Sequence, residues 1–199
     1  RIEGNVTVSY KNASKDGWAK HQGATTVNTV GKVKDSSYLF NAYLLHEPGK
    51  VIDPFIILFT FYAPWGTVYG GDISPSLGEL SVYGQSARGA MLEQRRGDWE
   101  WSVLGGQTVE SQPGTATTNG RYARSLYAGK VGRRLPWNIT TSLTYFLSAD
   151  ETSSLSSNPK SSNFAGPTLV PQKNSGVGFG ALWEPKPKMK VMLDWQSNT

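Results

Sequence analysis

The chain has 199 residues, a length that suits one domain and allows a substantial core. Hydrophobic residues make up 38% and charged residues only 18%, while Gly (22), Trp (7) and Tyr (9) are frequent, which excludes disorder and fits a turn-rich all-β chain, soluble or membrane-embedded. The absence of cysteine excludes a disulfide framework and thiol catalysis, and no run of about 18 apolar residues predicts a membrane-spanning helix.

The formal net charge of +5 raises the question of nucleic-acid binding. The basic residues are dispersed, and the densest groups, at 95–96, 133–134 and 186–190, each lie at or beside a predicted turn. No recognisable binding motif organises these charges. We therefore expect no nucleic-acid partner.

The first half of the chain begins with clear strands and becomes less regular. Residues 5–10 (N-V-T-V-S-Y) alternate polar and apolar side chains, which predicts a strand, residues 11–23 predict a loop, and residues 25–34 predict a strand followed by a turn. Residues 38–45 and 55–62 are apolar on both strand faces, which does not suit a water-filled lumen. We expect another protein, a plug or a folded-in loop to cover that wall.

A short motif follows these strands. It consists of Gly71-Asp72-Ile73-Ser74-Pro75-Ser76, then Leu80-Ser81-Val82-Tyr83-Gly84, then Ala87-Arg88-Gly89. This stretch resembles a pattern of large bacterial outer-membrane β-barrel proteins, in which a Gly-Asp-x-x-Pro loop leads to a short strand and an Arg-Gly pair. The resemblance covers about twenty residues and implies an envelope location and a barrel wall.

The same residues also have a purely local interpretation. Gly70-Gly71-Asp72 and Ser74-Pro75 are residue types that favour turns, and Gly84 and Gly89 allow a kink or a bulge in a long strand. Both interpretations stay open on the sequence alone.

The second half alternates strands with short and long connections. After a strand that ends near Gln94 come, in order, a turn at 95–98, a strand from Trp99, a long loop at 107–120, a strand at 121–131, a turn at 132–137, a strand at 138–147, a long loop at 148–174, a strand at 177–183, a turn at 184–187 and a strand at 189–196. The whole chain is thus predicted to be an antiparallel up-and-down meander of about ten strands.

The alternation of loop lengths is typical of outer-membrane barrels, which have short periplasmic turns and longer external loops. The Greek-key connections of a soluble sandwich give no reason for such an alternation of loop lengths. Aromatic residues lie mainly near predicted strand ends, as interfacial girdles require. When the strand ends are counted backward from the second half of the chain, however, the loop at 11–23 falls on the side of the short turns. Either one hairpin breaks the alternation of loop lengths or a strand has been missed.

The period of two divides the strands into two faces. The polar set predicted to face a lumen is Glu100, Ser102, Asn138, Thr140, Ser142, Thr144, Lys190 and Asp194. The apolar set predicted to face lipid is Trp99, Trp101, Val103, Ile139, Leu143, Tyr145, Val177, Phe179, Val191 and Leu193. A soluble strand with one solvated face would give the same alternation, so loop lengths and aromatic positions are needed to favour the membrane.

Chemistry-bearing patterns are few. His21 and His46 lack a second metal ligand at useful spacing, and no phosphate-binding Gly-rich loop is present. Asp150-Glu151 is predicted to be a solvated part of a Ser-rich loop, and Glu100 and Asp98 are candidates for a carboxylate pair with a partner across strands. We expect no catalytic residue, no metal and no cofactor.

Together these patterns predict one β-barrel domain or barrel segment over residues 1–199 of a Gram-negative outer membrane, acting as a pore or as the scaffold of a transport or secretion complex. Membrane lipid and other envelope proteins or a plug are the expected partners. The absence of a leader and the stop after Trp195 favour a portion of a longer barrel, although about ten strands could close on themselves. The alternative is a secreted, soluble β-sandwich or jelly roll that binds carbohydrate or forms a capsid or appendage subunit.

Overall fold

The computed structural model describes residues 1–12, 21–46, 53–77, 85–114, 120–155, 169–186 and 189–199. The strands are β1 (Ile2–Asn12), β2 (His21–Val33), β3 (Ser36–His46), β4 (Asp53–Ala63), β5 (Gly66–Ile73), β6 (Ala87–Arg96), β7 (Trp99–Val109), β8 (Ala123–Leu135), β9 (Ile139–Glu151), β10 (Lys173–Lys186) and β11 (Met189–Asn198). Two single-turn 3-10 helices, Pro136–Asn138 and Thr152–Ser154, follow β8 and β9.

The strands occur in the sheet in the order in which they occur in the chain, and every pairing is antiparallel where its register is described. The predicted all-β, antiparallel up-and-down meander is confirmed, with eleven strands among the described residues rather than about ten. This strand order is that of a meander and differs from the Greek-key order of a jelly roll.

Two compact units make up the chain, Arg1–Ile73 and Ser74–Thr199. The first unit contains β1 to β5 and the second contains β6 to β11.

Connection lengths alternate along the whole chain. The connections after the even-numbered strands have two or three residues, at 34–35, 64–65, 97–98, 136–138 and 187–188. Those after the odd-numbered strands are all longer, at 13–20, 47–52, 74–86, 110–122 and 152–172. Because successive connections of an antiparallel meander lie at opposite strand ends, the short turns of each unit share one end and the longer connections share the other.

The strand missing from the sequence prediction is β5. Its Gly70-Gly71-Asp72 was interpreted locally as a turn, and that interpretation is wrong, because the three residues lie inside the strand. Once β5 is counted, the connection after β1 falls on the same side as the other long connections, and no hairpin breaks the alternation of lengths. The short strand expected at 80–84 lies outside the described residues.

Gly71 has a structural reason to be glycine. Its φ is +97°, and a Cβ at this position would collide with the Ile57 carbonyl of β4. Regular pairing of β4 and β5 stops at Leu58 and Gly71, and beyond it the Asp72 carboxylate accepts a hydrogen bond of 2.8 Å from the Ile57 N–H. The Gly-Asp pair therefore ends this ladder and satisfies its next backbone donor.

Register divides the second unit into two faces. From β7 to β11 the even-numbered residues lie opposite one another, as in the row Leu104, Ala128, Phe146 and Gly176. We call this the covered face, because Leu104, Leu126, Thr144 and Phe146 are all at most 6% exposed. The odd-numbered residues form the open face, where Val103, Leu143 and Tyr145 are about half exposed.

A segment that precedes β6 lies on the covered face. We call residues 74–77 the covering segment; its Pro75 and Leu77 are fully buried, and the Thr144 hydroxyl of β9 donates a buried hydrogen bond of 3.3 Å to the Leu77 carbonyl. Small residues make room on the neighbouring strand, since Gly176, Gly178 and Gly180 are consecutive covered-face positions of β10.

The first unit has a different distribution of side chains. One face carries a row of asparagines, Asn5, Asn28 and Asn41, across β1 to β3. On the opposite face Tyr38 and Phe59 stack at 6.4 Å between ring centroids. Of the described residues in this unit, only Ala42, Thr60 and Ile73 are buried.

Candidate functional site

Most of the residues predicted to line a lumen lie on the covered face of the second unit. Glu100, Ser142 and Asp194 lie in one row of the register, and Ser102 and Thr144 lie in the next. Register therefore brings together residues from three strands, β7, β9 and β11, that are up to 94 positions apart in the sequence numbering. Thr140 lies on the same face of β9, next to Ser142.

The other two members of that set are placed differently. Asn138 was expected in a strand and instead lies in the turn before β9, exposed and with a φ of +57°. Asparagine tolerates this left-handed conformation, which explains why a strand-like sequence begins one residue later than its alternation indicates. Lys190 is the second residue of β11 and pairs at 2.9 Å with Glu184 of β10, with most of its side chain in solvent.

All ten residues of the predicted lipid-facing set lie on the open face. One row crosses five strands through Trp101, Val131, Leu143, Phe179 and Trp195. Trp101 and Ile139 are half-buried and the other eight are exposed. Near the short-turn end, the Arg133 guanidinium lies 5.0 Å from the centre of the Trp99 ring.

A cavity of about 530 Å³ lies on the covered face, at the end where the long connections leave the strands. Its lining residues come from β7 to β11 and from the residues just before β6 and β10, namely Gln85, Ser86, Thr108, Val109, Arg124, Leu126, Phe146, Ser148, Gln172, Asn174, Gln196 and Asn198. Five of these side chains are amides and three are hydroxyls. The lining is thus rich in groups that both donate and accept hydrogen bonds.

The one charged residue of that lining has its charge compensated. Arg124 of β8 faces Asp150 of β9 and donates two hydrogen bonds, from Nε to Oδ1 at 2.7 Å and from Nη2 to Oδ2 at 3.2 Å. Arg124 Nη2 also donates to Gln172 Oε1 at 3.0 Å, and the Gln172 N–H donates to Asp150 at 2.8 Å. This bidentate pair anchors the residues before β10 to the wall and leaves the cavity without net charge.

Gln196 of β11 contributes a polar atom that lacks a partner. Its side-chain nitrogen donates to Asn198 Oδ1, while its Oε1 is buried and has no hydrogen-bond partner among the described residues. A buried acceptor without a partner costs about 1–3 kcal/mol. The side chain lines the cavity, so a bound molecule could supply the missing donor.

The cavity was not predicted from the sequence. Asp150 was assigned to a solvated loop, and that assignment is wrong, because β9 continues to Glu151 and the Asp150 side chain is 8% exposed. The signal was present, since Ser148 and Asp150 continue the polar positions of β9 while Leu147 and Ala149 continue the apolar ones. The pairing of Arg124 with Asp150 across two strands has no local signature.

Charged residues occupy the other end of the covered face. Glu100 of β7 lies 3.7 Å from the Lys130 ammonium of β8, with both side chains partly exposed. Asp98, the other carboxylate considered for a pair, lies in the turn after β6. Its backbone carbonyl accepts a hydrogen bond of 2.7 Å from the Arg134 N–H. Glu100 thus has a cationic neighbour that explains its position without catalysis.

Within the described ranges, no cluster of three or more metal-ligating His, Cys, Asp or Glu side chains occurs. None of the helices in that part of the chain has the length and apolar character needed to cross a membrane. The chain matches no known protein-family model, no curated protein and no solved structure.

Proposed function

We propose that this chain is the wall, or part of the wall, of a β-barrel in a Gram-negative outer membrane, and that it acts as a pore or as the scaffold of a transport or secretion complex. The open face of the second unit carries this proposal. Large apolar side chains from β7 to β11 are exposed there side by side. An apolar surface of this extent is normally covered by lipid or by another protein.

The dimensions of the open face favour lipid as that partner. On β9 the open-face residues from Ile139 to Leu147 are apolar except for Thr141, and they cover nine strand positions. A transmembrane strand needs about 9–11 residues at a tilt of about 45°. The strands have 8 to 14 residues, a range that fits one crossing each.

The connections and the covered face give independent support. Alternation of short and long connections throughout the chain is the asymmetry of outer-membrane barrels. The covered face carries hydroxyls, amides and ion pairs, which suit a wet interior, and the covering segment narrows it. A barrel whose interior is partly filled can serve as a gated pore or as a scaffold.

Membrane fractionation of the full chain tests the proposal. We expect the protein to require detergent for extraction and to run faster on a gel unheated than boiled, because a folded barrel resists dodecyl sulfate. A monodisperse protein in plain buffer, with no heat-dependent mobility, would contradict the proposal.

Conductance measurements distinguish the two roles. Purified protein added to planar bilayers should give discrete ion-conducting steps if the chain forms a pore. Membrane-inserted protein that is silent in this assay would favour the scaffold role.

A further inference from the structure

We propose that the cavity at the long-connection end of the covered face binds a neutral saccharide. The proposal names a substrate class for the proposed pore or scaffold. It rests on that proposed function in one respect, namely the side of the membrane from which the ligand arrives. The binding chemistry itself depends only on residues of the second unit.

Charge is the first argument. Arg124 is the only charged residue among the described residues that line the cavity, and both oxygens of Asp150 neutralise its guanidinium. An anionic ligand would have to compete with a bidentate carboxylate, and a cationic ligand would meet Arg124. The cavity therefore favours a ligand without charge.

Hydrogen-bonding capacity is the second argument. A sugar hydroxyl donates one hydrogen bond and accepts others, so it is best matched by groups that do both. Amide side chains at Gln172, Asn174 and Asn198 have this capacity, and hydroxyls at Thr108 and Ser148 add to it. A lipid tail or a hydrocarbon would leave these groups unpaired.

The buried oxygen of Gln196 is the third argument. Oε1 is an acceptor with no partner in the described part of the chain, while the amide nitrogen is held by Asn198. A ligand hydroxyl that donates to Oε1 would satisfy the one buried side-chain polar atom that is unpaired among the described residues.

The apolar part of the lining completes the match. Leu126 and Phe146 lie beside the polar groups, and both are buried. The Phe146 ring is positioned by Gly176, where a Cβ would lie 2.7 Å from the ring. Sugars present C–H faces to such surfaces, and a cavity of about 530 Å³ falls within the usual range of ligand sites, large enough for a short oligosaccharide.

Calorimetric titration of the detergent-purified full chain tests the proposal. The probes are maltotriose, cellotriose and diacetylchitobiose, with digalacturonate and trialanine as an anionic and a peptide comparison. We expect at least one neutral saccharide to bind and the two comparison compounds not to bind. No heat with any neutral saccharide at millimolar concentration, or preference for digalacturonate or trialanine, would overturn the proposal.

Variants locate the binding. Gln196→Ala and Asn174→Ala should each raise the saccharide Kd about threefold to tenfold, as expected for the loss of one or two hydrogen bonds. Asn28→Ala, which removes an amide from the first unit, should leave the Kd unchanged. If Gln196→Ala does not fold, Gln196→Met keeps the approximate size of the side chain and removes the acceptor oxygen, and it should weaken binding as well. Equal Kd values in all variants would overturn the site.

Failure of this proposal is distinguishable from failure of the proposed function. A chain that is soluble in plain buffer and still binds the saccharide through Gln196 would contradict only the membrane role. A heat-modifiable, detergent-dependent chain that binds no saccharide would contradict only the ligand.

Discussion

The two units use the same strand alternation with different results. In the second unit polar and small residues alternate with exposed apolar ones, and the covered face packs Leu104, Leu126 and Phe146 beneath the covering segment. In the first unit β3 and β4 are apolar on both faces, and few described residues are buried. The difference shows that alternation divides a sheet into faces, whereas burial depends on what lies on each face.

The largest expected effect is in the packed part of the second unit. Leu126 is 1% exposed, so Leu126→Ala should lower the free energy of unfolding by about 2–5 kcal/mol, through lost transfer energy and a residual cavity. Leu39→Ala, at a half-buried position of the first unit, should cost less. Urea unfolding in detergent micelles measures both. Equal losses would remove the contrast between the units.

The open face gives the next effect. Leu143→Arg should destabilise the inserted protein by about 2–4 kcal/mol if the site lies near the bilayer midplane. Ser142→Arg is the matched control, because Ser142 lies on the covered face of the same strand, in the row of Glu100 and Asp194, and should tolerate a cation better. Insertion into lipid vesicles, followed by heat-dependent gel mobility, measures the effect. A mild effect at Leu143 would count against a lipid-facing surface.

Glycine substitutions give a smaller contrast between the units. Gly176→Ala would place a Cβ 2.6 Å from Asn198 Oδ1 and 2.7 Å from the Phe146 ring, and the overpacking should cost about 1–3 kcal/mol. Gly70→Ala in β5 meets nothing within 4 Å and should be neutral or slightly stabilising. The same unfolding assay compares them. A tolerated Gly176→Ala would show that the covered face can readjust.

The smallest effect concerns the covering segment. Thr144→Val keeps the shape of the side chain and removes the hydroxyl that donates to Leu77, which should cost about 0.5–1.5 kcal/mol. Thr141→Val is the control, since its contact with the Arg133 carbonyl is 3.5 Å long on the open face. Faster protease cleavage near residues 74–77 in Thr144→Val alone would be the expected readout. Identical cleavage of both variants would show that this bond does not hold the segment.

The fold was largely predictable because many strands, above all β7, β9, β10 and β11, carry a two-residue pattern, and tight turns at 97–98 and 136–138 interrupt it visibly. The missing strand β5 shows the limit of that method. Gly70, Gly71 and Asp72 are turn-forming residue types, but here they end a ladder through a positive φ and a carboxylate bond to Ile57. The residue types of a short segment indicate which conformations the segment favours, but pairing with the neighbouring strand decides which conformation forms.

The candidate site was less predictable than the faces. The alternation along each strand was enough to predict that Ser102, Ser142 and Thr144 lie on one polar face, as the register places them. The cavity instead depends on contacts between residues far apart in the chain, such as Arg124 with Gln172, and the covering segment is held by the contact of Thr144 with Leu77. Such contacts follow from register and from the path of the covering segment, neither of which a single strand encodes.

The pairing of strands in chain order also has a consequence for folding. Each strand pairs with its neighbour in the chain, so the loss of chain entropy stays moderate even for the longest connection, at 152–172, and strands can add successively. The bond between Thr144 and Leu77 differs, because it joins residues 67 positions apart. We expect docking of the covering segment to wait until β9 has formed, so it should be a late kinetic phase, separate from the growth of the sheet.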